Sequence, residues 1–190
     1  MSLQLKVIIG STRPTRQGDK VARWFEGAAR EHGAFDVQLL DLVDFQLPVF
    51  DEPKHPRMKD YAHEHTRQWS TAIDPADAFV FVTPEYNYFP PASLVNALDY
   101  LVLEWYRKPA AMVSYGGISG GLRAAQSLRP LLSALNMMPI PQGLPVPLFN
   151  TMIEDGTFKP SEAIASGVKP MLDELALWAG ALKPMRNSLK

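Results

Sequence analysis

The chain has 190 residues, 46% of them hydrophobic and 21% charged, with a formal net charge of −1 and no cysteine. This is ordinary composition for a folded domain, so one domain over residues 1–190 is expected and extended disorder is not. The near-zero charge offers no basic surface to nucleic acid; the missing cysteines exclude disulfides, thiol nucleophiles and thiolate metal sites; and no run of ~18 apolar residues is present, so no membrane span and a cytoplasmic location are expected.

Residues 5–10 (LKVIIG) are a short β-branched apolar run ending in glycine, which predicts a buried strand. Residues 18–32 carry Val21, Trp24, Phe25, Ala28 and Ala29 at helical spacing, with Gly33 suited to the helix end. Residues 36–42 (DVQLLDL) predict a second strand, and a proline-punctuated loop follows to about residue 58. A helix is expected over 60–73, a fully apolar strand over 79–83, and a helix from 91 to about 105. Residues 110–115 predict a strand and residues 119 to about 136 a helix, with Ser119 as its N-cap and Pro130 removing one backbone hydrogen bond inside it. A weak fifth strand is placed at 137–140, limited by Pro139 and Pro141. The last helix lies within 161–182, with Pro170 starting or kinking it.

Apolar strands alternating with amphipathic helices imply a parallel sheet covered on both faces. The fold class is therefore α/β, a doubly wound five-stranded parallel sheet in a three-layer αβα arrangement. The order 2-1-3-4-5 puts ligands outside the carboxyl ends of the strands, at the switch point between strands 1 and 3. The loops after strands 1, 3 and 4 are the places to look for chemistry.

The loop after strand 1 brings Ser11, Thr12, Arg13, Thr15, Arg16, Gln17 and Gly18 to a helix N-terminus. Free N–H groups, hydroxyls and forked guanidinium donors suit a terminal phosphate there. Taken alone, the loop reads equally well as a solvated turn. It is neither a GxGxxG nor a Walker A loop. The loop after strand 3 holds Pro84, Glu85, Tyr86 and Asn87, then Tyr88, Phe89, Pro90 and Pro91. Its aromatics offer flat surface to a planar ring, and its prolines reduce the ordering needed on binding. The other reading is a loop packed on a helix or subunit, and Tyr88 and Phe89 are expected to face a partner chain. The loop after strand 4 holds Ser114, Tyr115, Gly116 and Gly117, where paired glycines let backbone approach a ligand; Gly120 and Gly121 are read as helix-packing positions. A phosphate cradle, a ring platform and a glycine backbone at three strand ends together fit a mononucleotide with a large flat base, FMN.

These segments resemble the NADPH-dependent FMN reductase family of flavodoxin-like fold, which includes quinone, azo-dye and chromate reductases. GSTRPTRQG is similar to its GSxR loop, TPEYNYFPPASLVNALDYL to its PEYN…PxxLKNAID segment, and SYGGISGGLRAAQSLRPLL to its SxGxxGGxxAxxxLR segment, in the family's order over residues 5–135. The resemblance implies non-covalent FMN, a hydride relay from NADPH or NADH through flavin N5 to a small-molecule acceptor (quinone, azo, metal or free flavin), and a homodimer or homotetramer. Ala92, Val95 and Arg16 depart from the family pattern, which bears on subunit contacts and phosphate geometry.

No catalytic side chain and no metal ligand is expected, because the cofactor carries the hydride. The N–H groups of residues 85–87 and 116–117 are assigned to flavin N1 and O2, with the Glu85 carboxylate turned away. His63 and His65 are read as a solvated helix face, since positions two apart on a helix diverge. No GxSxG elbow supports a hydrolase triad. Met137 and Met138 are assigned to the core, Trp24 and Trp178 to helix–sheet packing, and Trp105 and Tyr106 to a dimer seam. Two other functions share the fold. A flavodoxin-type electron carrier is disfavoured by the near-zero charge and by Arg13 and Arg16. A non-catalytic flavin-fold binding module would be colourless and take up no FMN.

Overall fold

The computed structural model describes residues 2–187. Its centre is a parallel sheet of five strands, β1 (Leu3–Ile9), β2 (Phe35–Asp41), β3 (Ala78–Pro84), β4 (Pro109–Tyr115) and β5 (Met138–Val146), in the order β2-β1-β3-β4-β5. The helices are α1 (Gly18–His32), α2 (Leu42–Phe45), α3 (Glu64–Ile73), α4 (Ala92–Asp99), α5 (Leu122–Ala134), α6 (Glu162–Ser166) and α7 (Val168–Asn187). A small antiparallel pair, β6 (Ile153–Glu154) and β7 (Thr157–Phe158), was not foreseen and lies between β5 and α6. Among the described residues no helix is long and apolar enough to cross a membrane.

The period-2 alternation of strands sorts the core into two layers. Leu5, Val7 and Ile9 of β1, Val80 and Val82 of β3, and Val113 and Tyr115 of β4 face α1 and α7. Ile8, Phe79, Phe81 and Met112 face α3, α4 and α5, among Trp69, Tyr100 and Trp105. Tyr115 thus points toward the start of α1, a fact that shapes the site. Trp24 and Trp178 are partly buried against the first layer, with the Trp24 ring 5.3 Å from Phe158. Met137 is buried, whereas Met138 is only half-buried.

Several boundaries differ from expectation for identifiable reasons. The helix expected to run to about residue 105 stops at Asp99, and the indoles of Trp69 and Trp105 donate to the carbonyls of Ala97 (2.8 Å) and Leu98 (3.1 Å). Both carbonyls lie at the helix end, where intrahelical donors run out; Ala97 C=O is taken by Trp69, and Leu98 C=O is shared between Trp105 and the Leu101 N–H (3.4 Å). Trp105 is consequently a fully buried core residue, not part of a subunit seam. The helix expected from residue 60 begins at Glu64, because the Glu52 carboxylate accepts the N–H groups of Ala62 (2.7 Å) and His63 (3.1 Å) and holds the lead-in extended. β5 runs through Pro139, Pro141 and Pro145; it is an edge strand paired with β4 alone, where proline is tolerated. Pro170 sits in the first turn of α7, where its missing N–H costs no helical bond. Ser119 is not the N-cap of α5. Gly121 is, at φ 76°, and a Cβ there would press on the Tyr115 backbone.

Candidate functional site

A cleft of about 330 Å³ opens at the carboxyl ends of β1, β3 and β4, within the ~300–1,000 Å³ span of small-molecule sites. Arg13, Arg16 and Gln17 border it from the β1–α1 loop, joined by Thr15. Loop geometry leaves this segment rich in donors. Arg16 N–H donates to Arg13 C=O at 3.0 Å, which curls the chain, while the N–H groups of Thr15, Gln17 and Gly18 meet no protein acceptor among the described residues. Arg16 Nη2 donates to Asp41 Oδ2 at 2.6 Å, and its Nε is shielded from solvent without a partner. The Arg13 side chain is exposed and makes no hydrogen bond or ion pair with the described residues. Thr12 borders a separate hollow between α2 and α4.

Ser11 and Gly18, both predicted to touch cofactor, do not border the cleft. Ser11 is fully buried; its hydroxyl pairs with the Tyr86 hydroxyl at 2.9 Å and accepts the Arg13 N–H at 3.4 Å. It ties the β1–α1 loop to the β3–α4 loop. Gly18 lies under the Tyr115 hydroxyl, and a Cβ there would overlap that oxygen. The absence of a side chain here makes room for the tyrosine.

Pro84, Glu85 and Tyr86 border the cleft from the β3–α4 loop. Tyr86 and Phe89 exchange N–H···O=C bonds of 2.8 and 3.0 Å around Asn87 (φ 52°) and Tyr88 (φ 74°), a tight turn with two left-handed residues. Asn87 therefore serves the turn and does not border the cleft. The Glu85 carboxylate is turned to the start of α5, accepting from Ser119 Oγ (3.0 Å), Arg123 N–H (3.1 Å) and Arg123 Nη1 (3.0 Å). Burial alone would raise its carboxyl, but these bonds outweigh it and hold the carboxyl below the usual range.

Tyr115, Gly116 and Gly117 border the cleft from the β4–α5 loop. Ser114 does not; its hydroxyl donates to Gly120 C=O at 2.9 Å inside the core. Burial, with the neighbouring Tyr86 and Asp19, pushes the Tyr115 phenol up, so it stays neutral. The backbone assignment narrows. The N–H groups of Glu85, Tyr86 and Gly116 donate to Tyr115, Phe89 and Val146 carbonyls, which leaves Asn87 and Gly117 with unspent N–H groups in these loops. Phe149 was missed. It follows β5, stacks edge-on to Tyr115 at 4.9 Å and completes the cleft wall, and no periodicity in the sequence marks it.

Elsewhere, His63 and His65 do not diverge. His63 is the extended N-cap of α3, outside the helical spacing rule, so the two rings stack at 5.1 Å beside Asp51.

Residues 3–150 match the family described as NADPH-dependent FMN reductase. The NAD(P)H-dependent FMN reductase C4B3.06c of Schizosaccharomyces pombe is 40% identical over 160 residues, covering 83% of this chain and 80% of that protein. A quinone reductase of Pseudomonas putida is 33% identical over 137 residues, covering 69% and 70%. Among solved structures, the flavoenzyme NAD(P)H:(acceptor) oxidoreductase FerB of Paracoccus denitrificans superposes with a TM-score of 0.74 over 95% of this chain and 98% of its own, at 22% identity; that likeness speaks for the fold.

Proposed function

The chain belongs to the NADPH-dependent FMN reductase family and is an NAD(P)H-dependent oxidoreductase that works with FMN, and we propose that the cleft at the carboxyl ends of β1, β3 and β4 is the FMN site. The residues fit the group. The observation that carries the assignment is the set of cleft-lining donors without protein acceptors in the β1–α1 loop: the Arg13 side chain, the shielded Arg16 Nε, and the N–H groups of Thr15 and Gln17. A shielded, unpaired donor costs free energy unless something supplies an acceptor, and a phosphate offers several.

In this reading Arg13, Arg16 and Gln17 hold the phosphate, with Thr15 beside them. Pro84, Glu85, Tyr86, Gly116 and Gly117 line the ring, and Tyr115 and Phe149 close one wall. Ser11, Gly18, Asn87 and Ser114 shape the loops from behind. Bound FMN supplies the hydride chemistry at N5, which no side chain of this chain offers. The protein's part is to seat the cofactor, orient it, and keep the Glu85 carboxylate on Arg123 and away from the ring.

NADPH or NADH is the donor, and a small molecule such as a quinone, azo compound, metal ion or free flavin the acceptor. The quinone reductase among the relatives supports the quinone class. We place the chain in the cytoplasm as a single FMN-binding domain over residues 1–190, in a homodimer or homotetramer. Tyr88 (60% exposed), Phe89 (63%) and Leu122 (48%), which border one hollow, offer apolar surface suited to a second copy.

The test is anaerobic mixing of FMN-loaded protein with NADPH and, separately, NADH. At least one nicotinamide is expected to bleach the flavin's visible absorbance, and added quinone to restore it. A protein that takes up no FMN, or a flavin that stays coloured with both donors, overturns the reading.

A further inference from the structure

Arg16 is held from outside the cleft. Asp41 ends β2, at the edge of the sheet, and does not border the cleft itself. Its two carboxylate oxygens have separate partners: Oδ1 accepts the Val43 N–H at 3.1 Å, capping α2, and Oδ2 accepts Arg16 Nη2 at 2.6 Å. The pair is mostly buried, at 19% exposure for the arginine side chain and 20% for the aspartate. Arg16 so held borders the cleft and keeps Nε shielded from solvent without a protein acceptor. An arginine side chain loses much rotamer freedom when it grips an anion, and one already fixed by a carboxylate has less left to lose.

We propose that Asp41 is a positioning residue for the cofactor's phosphate: by fixing the Arg16 guanidinium it sets the protein's preference for FMN over riboflavin, which has the same ring and no phosphate. The inference rests on the assignment of FMN to this cleft. Two effects of Asp41 oppose each other. Its negative charge weakens the pull of Arg16 on a phosphate, and its grip places the guanidinium where contact is made. Losing a charge-assisted contact outright costs roughly tenfold or more in affinity. Removing a carboxylate that already has a cation on it changes the field at the phosphate less, because Arg13 and the loop N–H groups still act there. Positioning therefore wins, and the two effects predict opposite signs.

The experiment is quenching of flavin fluorescence by apo-protein, with FMN and riboflavin titrated in parallel into wild type, Asp41→Ala, Arg16→Ala and the double variant. Wild type is expected to prefer FMN. Asp41→Ala is expected to lower FMN affinity about tenfold and leave riboflavin within about twofold. In the Arg16→Ala background the same change is expected to do nothing more to the preference, because Asp41 acts through Arg16; loss of the α2 cap alone would not depend on Arg16. Asp41→Asn, which retains an acceptor for Val43 N–H, is the better-folded variant and is expected to move the preference in the same direction. A preference for FMN that stays at the wild-type value or rises in these variants, or that falls equally with and without Arg16, overturns the proposal. A wild type that does not distinguish FMN from riboflavin brings down the cofactor assignment and this inference together, so the two failures are told apart.

Discussion

The two ends of the sheet both gather charge and treat it in opposite ways. At the amino ends, the buried Asp77 carboxylate accepts the Gln4 N–H at 3.0 Å, Lys183 Nζ at 2.8 Å, and Arg186 Nη2. Lys108, also buried, donates to the carbonyls of Asp74 (2.8 Å) and Ile73 (3.3 Å) at the end of α3. At the carboxyl ends, Arg13 and several N–H groups of the first loop have no protein partner among the described residues. Polar groups that satisfy one another anchor the chain's own elements, here α3 and α7 to the sheet. Polar groups left unsatisfied contribute little to the fold and stand ready for a ligand. The comparison predicts that substitutions at one end change stability and those at the other change flavin affinity.

The largest effect is expected at Asp77. Asp77→Asn leaves Lys183 and Arg186 without their carboxylate and should cost about 3 kcal/mol in chemical denaturation, with FMN affinity unchanged. The pH dependence follows. Burial alone would raise the Asp77 carboxyl, but hydrogen bonds from Lys183 and Gln4 and the charges of Lys183 and Arg186 outweigh it and hold the carboxyl below its usual range. A carboxyl lowered in the folded state contributes stability above its unfolded value of about 3.9 and loses it as pH falls through the folded value. Wild type should therefore lose stability below about pH 4, and Asp77→Asn should show a flatter acid limb. A parallel loss of FMN binding in this variant would break the division between the two ends.

Arg13→Ala is the converse test. It should weaken FMN by about thirtyfold, roughly 2 kcal/mol, and leave the thermal midpoint of the apo-protein where it is. An unchanged FMN affinity would remove Arg13 from the phosphate site. Gly18→Ala is expected to do both things on a smaller scale. Its Cβ would overlap the Tyr115 hydroxyl, so the buried ring must shift at a cost of about 1.5 kcal/mol, and a cleft wall moves with it. Apo-protein melting and FMN titration on the same sample read the two parts separately.

The carboxyl-end half of this comparison was legible in the sequence; the cluster around Asp77 was not. Apolar strands alternating with amphipathic helices carried the sheet order, and the loops after strands 1, 3 and 4 carried the cleft, because backbone periodicity and strand ends are local properties. What was not legible depends on partners distant in the chain. Where α4 stops at Asp99, two indoles, one of them from α3, donate to carbonyls of its last turn. β5 tolerates its prolines because it lies at an edge, which only the assembled sheet decides. Gly18, Ser11 and Asn87 look like ligand groups in the sequence, and the structure also gives each a protein role, beneath the Tyr115 hydroxyl, on the Tyr86 hydroxyl and in a tight turn. A residue type states what a side chain is able to bond. Which bond it has already made is a tertiary fact.

Ser114 is the finest test of that distinction. Its position at the end of β4, beside Gly116 and Gly117, makes it as plausible a cofactor donor as any residue in the loop. In the structure its hydroxyl is buried and donates to Gly120 C=O at 2.9 Å, pinning the glycine turn that enters α5. Ser114→Ala removes a neutral hydrogen bond and leaves one carbonyl short of a donor, which should cost about 1 kcal/mol. FMN affinity should stay within about twofold, since a shift that size is near 0.4 kcal/mol and within what a slightly loosened turn accounts for. If Ser114 instead donates to the flavin, the order reverses: stability barely moves and FMN affinity falls about tenfold. Measuring both on one variant places the boundary between fold and site within the few residues from Ser114 to Gly117.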